Sequence, residues 1–104
     1  MKLKDRVAIV TGGGKGIGEE ICLGLSREGA KIVIAEIDIE NSEEVIKKIQ
    51  NNGSEAIVIK TDVSEENSIN NMVAEAIKHF GKIDILININ RIFEPLLRYQ
   101  VQRS

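Results

Sequence analysis

Short apolar runs alternate along this chain with stretches whose apolar residues recur every three or four positions. Residues 6–11 predict a strand, and Ile17, Ile21, Gly24 and Leu25 open a helix over residues 17–28 that Gly29 stops. K-I-V-I-A-E at 31–36 predicts a second strand, followed by a helix over about 41–51 with Val45, Ile46 and Ile49 on one face and Gly53 as its cap. A third strand is expected at 55–60. It leads through T-D-V-S into the clearest helix, with Ser64 as N-cap, Glu65 and Glu66 in its first turn, and Ile69, Met72, Val73, Ala76, Ile77 and Phe80 at helical spacing. Gly81 ends that helix, and residues 83–88 predict a fourth strand. The strands are β-branched and nearly continuous in apolar residues, as when helices cover both faces of a parallel sheet. Strand–helix alternation with short connections gives right-handed crossovers, and the glycine turn after the first strand fits an α/β doubly wound sheet of order 3-2-1-4, with the first two helices on one face and the third on the other.

The junction between the first strand and helix reads T-G-G-G-K-G-I-G over Thr11 to Gly18. Backbone N–H groups at a helix N-terminus lack intrahelical partners and sit at the positive end of the helix dipole, so they can hold a pyrophosphate if no side chain blocks the approach. Gly12 suits the sharp turn, Gly16 a close approach of phosphates, and Gly18 tight packing of the helix on the sheet; Thr11, Lys15 and Ile17 belong to the same turn. A plain glycine turn would look similar. The context separates the two readings: a strand precedes, a helix follows, and the acid Glu36 stands 18 residues after Gly18 at the end of the next apolar run. This is a Rossmann-type pattern, expected to bind a dinucleotide.

Composition narrows the setting. The chain has 104 residues, enough for one domain and fewer than most complete dinucleotide-dependent enzymes have. Its net charge of −2, without a basic run, points to no nucleic-acid or anionic-membrane partner. Its start holds no apolar signal region and no run is long enough for a membrane helix, so a cytoplasmic protein is expected. The single cysteine, Cys22, reads as a buried structural thiol, and the single histidine, His79, as a solvated helix-end side chain. Residues 91–104 depart from the rest: they carry net charge +2 against −4 for residues 1–90, together with the only proline and tyrosine, Pro95 and Tyr99. We therefore divide the chain into a partial dinucleotide-binding domain, 1–90, and a divergent tail, 91–104, in which a short helix after Pro95 would use Leu96, Leu97 and Val101.

From Val7 to Asn88 the chain resembles the N-terminal part of a short-chain dehydrogenase/reductase. Thr11, Gly12, Gly16 and Gly18 match the family's T-G-x-x-x-G-x-G turn, Asp62-Val63 its Asp-Val after the third strand, and G-K-I-D-I-L-I-N its approach to N-N-A-G. The resemblance implies that the turn cradles the pyrophosphate of NAD or NADP, that Asp62 and the Val63 backbone hold the adenine, that Asn88 lines the adenine ribose side, and that Glu36 accepts hydrogen bonds from the ribose hydroxyls. A carboxylate at Glu36 repels a 2′-phosphate, with Lys15 offsetting part of this, so NAD is expected over NADP. In the intact family the substrate is a small carbonyl or alcohol.

The chain also departs from the family. N-N-A-G is replaced by Asn88, Ile89, Asn90 and Arg91, and the bulk of Arg91 stands where the family has glycine. The catalytic Ser and the Tyr-x-x-x-Lys are absent; Tyr99 comes too early and is followed at the matching distance by Arg103. Three readings stay open: the cofactor-binding half of an oxidoreductase truncated near Ile89, a non-catalytic nucleotide-binding or interaction module, and a decayed product. No catalytic and no metal residues are expected. Ending the sheet after four strands would leave the fourth as an unpaired edge, favouring self-association of a kind foreign to the family.

Overall fold

The computed structural model describes residues 1–14 and 16–89, and the backbone of 100–103. Its elements are β1 (Val7–Thr11), α1 (Gly16–Arg27), β2 (Lys31–Glu36), a 3-10 turn (Ile39–Asn41), α2 (Ser42–Asn51), β3 (Ala56–Lys60), α3 (Glu66–Phe80), β4 (Ile85–Asn88) and β5 (Gln100–Arg103). They form one sheet of order β3-β2-β1-β4-β5. The first four strands are parallel and give the expected 3-2-1-4 arrangement, with Ile9 opposite Val33 and Leu86, and Val33 opposite Ile57.

Alternation along the strands divides the core into two layers. Ala8, Val10, Ile32, Ile34 and Ile87 pack with Cys22 and Leu23 of α1 and with Val45 and Ile49 of α2. On the opposite face Val7, Ile9, Val33 and Ala35 meet Met72 and Ala76 of α3. This two-sided cover is why β1 and β2 are apolar at nearly every position, and each Ile or Val so buried stabilises the fold by roughly 1.5–3 kcal/mol over exposure. Gly29, Gly53 and Gly81 have φ of 98°, 87° and 87°, the left-handed conformation expected of residues that end helices.

Four details differ from the sequence reading. Ser64 does not cap α3: the N-cap is Glu65, with extended backbone and no side-chain cap bond. The reason lies two residues upstream, where Asp62 Oδ1 accepts both the Ser64 hydroxyl (2.6 Å) and its N–H (3.0 Å), closing a local turn. Ile77 keeps the helical spacing of α3 but is 46% exposed. Ile17 is likewise 61% exposed at the start of α1. The fourth difference is β5, which pairs antiparallel with β4, Val101 opposite Ile87 and Gln100 opposite Asn88. The edge of β4 is therefore not open, and Val101 belongs to a strand and not to a helix. An unpaired strand edge recruits an extended segment that can satisfy its N–H and C=O groups. Leu96, Leu97, Tyr99, Asn90, Arg91 and Lys15 lie outside the described residues. Among those described, no helix is long and apolar enough to cross a membrane.

Candidate functional site

Parallel register brings the carboxyl ends of four strands to one edge of the sheet, where Thr11 stands opposite Ala35 and Asn88, and Glu36 opposite Lys60. At such an edge an open α/β sheet binds ligands. The β1–α1 turn begins at Gly12, whose N–H donates to Ala35 O at 2.9 Å and whose φ is 73°. Gly16, with φ of 61°, starts α1, and a side chain placed there would meet no atom within 4 Å. Among the described residues, the space beside Gly16 is therefore clear, as a phosphate cradle requires.

Gly18 brings α1 close to the turn that leaves β1. A Cβ there would strike the carbonyl group of Gly12 and come within 2.8 Å of Gly13 Cα, so the glycine lets α1 pack against the turn itself. Beneath the turn, Cys22 is buried with its Sγ 3.8 Å from Gly13 O. Burial, and after it the charge of Glu19, pushes its thiol up to about 12, which makes it an inert packing group.

The carboxylate of Glu36 reaches back to the turn, its Oε2 accepting the Gly14 N–H at 3.2 Å. The end of β2 is tied to β3 through Thr61, whose N–H donates to Glu36 O at 3.0 Å. Asp62 and Val63 follow directly, half-buried beside that strand end. Asp62 is ordered from both sides: its N–H donates to Ser68 Oγ at 2.8 Å, and the hydroxyl and N–H of Ser64 hold its carboxyl below the ordinary carboxylate range. Across the turn, the buried Thr11 hydroxyl donates to Asn88 Oδ1 at 2.9 Å and accepts the Ile89 N–H at 3.2 Å, fastening β1 to β4 where they leave the sheet.

Thr11, Gly12, Gly16, Ile17, Gly18, Glu36, Asp62, Val63 and Asn88 are thus gathered along one edge, with Ile17 exposed at the mouth of the turn. Sequence reasoning missed Gly14, Thr61 and Ser42. Ser42 had a readable signal, since it shares a helical face with the buried Val45 and Ile49.

A doubly wound arrangement of β1 to β4 with a glycine turn after β1 and an acid at the end of β2 is the layout of the dinucleotide-binding class of α/β folds. The model of the short chain dehydrogenase family matches residues 6–96, and the chain belongs to that family. It is 43% identical over 105 residues to an uncharacterized oxidoreductase of Thermotoga maritima, covering 94% of this chain and 41% of that protein. It is 42% identical over 85 residues to a tetrahydroxynaphthalene reductase of Pyricularia oryzae, covering 81% and 30%. Among solved structures, an NAD+-bound xylitol dehydrogenase superposes with a TM-score of 0.80 at 32% identity, covering 83% of this chain and 33% of the other. A hydroxysteroid dehydrogenase from Escherichia coli gives 0.80 at 34% identity, covering 84% and 37%. The chain therefore spans about two fifths or less of the length of these relatives.

Proposed function

We propose that these 104 residues are the cofactor-binding part of an NAD(P)-dependent short-chain oxidoreductase acting on a carbonyl or secondary alcohol, with residues 1–90 holding the dinucleotide and NAD preferred to NADP. The observation that carries this reading is the Glu36 carboxylate held against the glycine turn by the Gly14 N–H. From beside the turn it can swing to accept from the ribose hydroxyls of a dinucleotide whose pyrophosphate lies on the N-terminus of α1. A 2′-phosphate at the same place would meet like charge. Gly12, Gly16 and Gly18 keep the approach clear, Lys15 and Ile17 line it, Thr11 and Asn88 shape the ribose side, and Asp62 with the Val63 backbone receives the adenine. That an NAD+-bound enzyme shares the fold supports the choice of cofactor.

When bound, the nicotinamide supplies or accepts the hydride. The remaining requirement is a proton donor within hydrogen-bond reach of the developing alkoxide, and these residues contain neither the Ser nor the Tyr-x-x-x-Lys that serves in the family. Lacking that group alone costs on the order of 10²–10⁴-fold in rate, so the chain by itself binds cofactor without turnover. A second reading, a non-catalytic nucleotide-binding module, draws support from β5, which closes the β4 edge with the chain's own tail.

Titration of purified chain with NADH and NADPH, followed by fluorescence, tests the proposal. NADH binds more tightly, and Glu36→Ala removes the difference. Equal or tighter NADPH binding, or a preference untouched by Glu36→Ala, refutes it. NADH oxidation with a panel of ketones and aldehydes stays at the buffer rate; saturable turnover abolished by Gly12→Val would contradict the inactive state.

A further inference from the structure

Ser42 is the first residue of α2, fully buried, and its hydroxyl is the one buried side-chain oxygen among the described residues with no hydrogen-bond partner. Alanine would fill the same place at no polar cost, so packing gives no reason for a hydroxyl there. Its surroundings supply one. A Cβ on Gly14 would stand 2.8 Å from Ser42 Oγ and 3.2 Å from Glu36 Oε2, so the two oxygens lie within about 6 Å of each other on either side of a space that glycine leaves open. The present hold on that carboxylate, the Gly14 N–H at 3.2 Å, is long and readily exchanged.

We propose that Ser42 is a positioning residue for Glu36. When the adenosine ribose of a dinucleotide donates its hydroxyls to Glu36, the carboxylate turns from Gly14 and takes the Ser42 O–H as a supporting donor, which fixes its orientation toward the ribose. The hydroxyl unpaired in the free chain thereby finds its partner in the bound one. Gly14 is required because any side chain would fill the space between them. This rests on the dinucleotide reading, and no atom of the cofactor is contacted by Ser42 itself.

The test is a double-mutant cycle with NAD+ and NADP+ on the full chain, using Ser42→Ala in the wild-type and Glu36→Ala backgrounds, with thermal melts of each unliganded protein. Ser42→Ala melts at the same or a higher temperature than wild type, binds NAD+ about tenfold more weakly, as for loss of a hydrogen bond to a charged group, and binds NADP+ unchanged. In the Glu36→Ala background it has no effect on NAD+. If wild type binds NAD+ and Ser42→Ala binds it equally well, or if the loss persists without Glu36, the positioning role is wrong. A lowered melting temperature with unchanged affinity makes Ser42 structural and overturns the proposal. Failure of wild type to bind NAD+ removes the dinucleotide reading and this inference together.

Discussion

Two glycines of the same helix, Gly18 and Gly24, give opposite expectations for one substitution. At Gly18 an alanine methyl would lie 2.8 Å from Gly12 C and from Gly13 Cα, and nearer still to the Gly12 carbonyl oxygen. These are backbone atoms, and Gly12 is anchored to β2 by its 2.9 Å bond to Ala35 O, so the turn cannot yield as a flexible side chain would. The helix must retreat instead, at an overpacking cost of about 1–3 kcal/mol, against which alanine returns up to about 1 kcal/mol of helix propensity. With the full return the net loss is up to about 2 kcal/mol, a fall in Tm of up to roughly 15 °C for a domain of this size. At Gly24 no atom of the described residues beyond the helix's own backbone lies within 4 Å of the added methyl, so only the propensity gain remains, and Tm rises by roughly 4–8 °C. Thermal unfolding of both variants beside wild type, by circular dichroism in one buffer, reads the contrast. If Gly18→Ala is as stable as Gly24→Ala, the close seat of α1 on the turn is not what requires glycine.

Other consequences follow from groups away from the turn. Asp84 accepts the Val7 N–H at 2.8 Å and pairs with Lys82 at 3.3 Å and Arg6 at 3.5 Å, and the Val7 bond above all holds its carboxyl below 3.8. A depressed folded pKa contributes stability above the unfolded value and loses it as pH falls through the folded one, so Asp84→Asn should flatten the loss of urea stability below about pH 4 and cost about 1 kcal/mol at pH 7. Cys22, pushed up to about 12 from 9.0, keeps its proton when folded where the unfolded chain has lost it. Its contribution is complete below pH 9.0 and declines as pH climbs toward 12. At neutral pH a colorimetric disulfide reagent should label Cys22 only after denaturation; prompt stoichiometric labelling of the native chain would contradict its burial.

The sequence was informative where one interaction decides the outcome. The strands of the parallel sheet are apolar on both faces, the helices end at glycines in the left-handed conformation, and Glu36 closes the second apolar run, so the sheet order and the site edge were readable before any coordinates. Competition between local and distant partners was not. Ser64 has the composition of an N-cap, but Asp62 lies closer and takes its hydroxyl. Val101 fits a helical spacing with Leu96 and Leu97, while the backbone of residues 100–103 pairs with the edge of β4. The bond from Gly14 to Glu36 and the buried hydroxyl of Ser42 depend on how α2 is set against the turn, a tertiary relation absent from any local pattern.

In our proposal the edge formed by the glycine turn, Glu36 and Asp62-Val63 holds a dinucleotide. Amide chemical shifts of the isotope-labelled chain titrated with NAD+ test this most directly. Saturable shifts concentrated at Gly12 to Gly18, Glu36 and Thr61 to Val63, and lost in Gly18→Ala, are the predicted result; an unchanged spectrum at millimolar NAD+, or shifts confined to the opposite end of the sheet around Asp84, would contradict it.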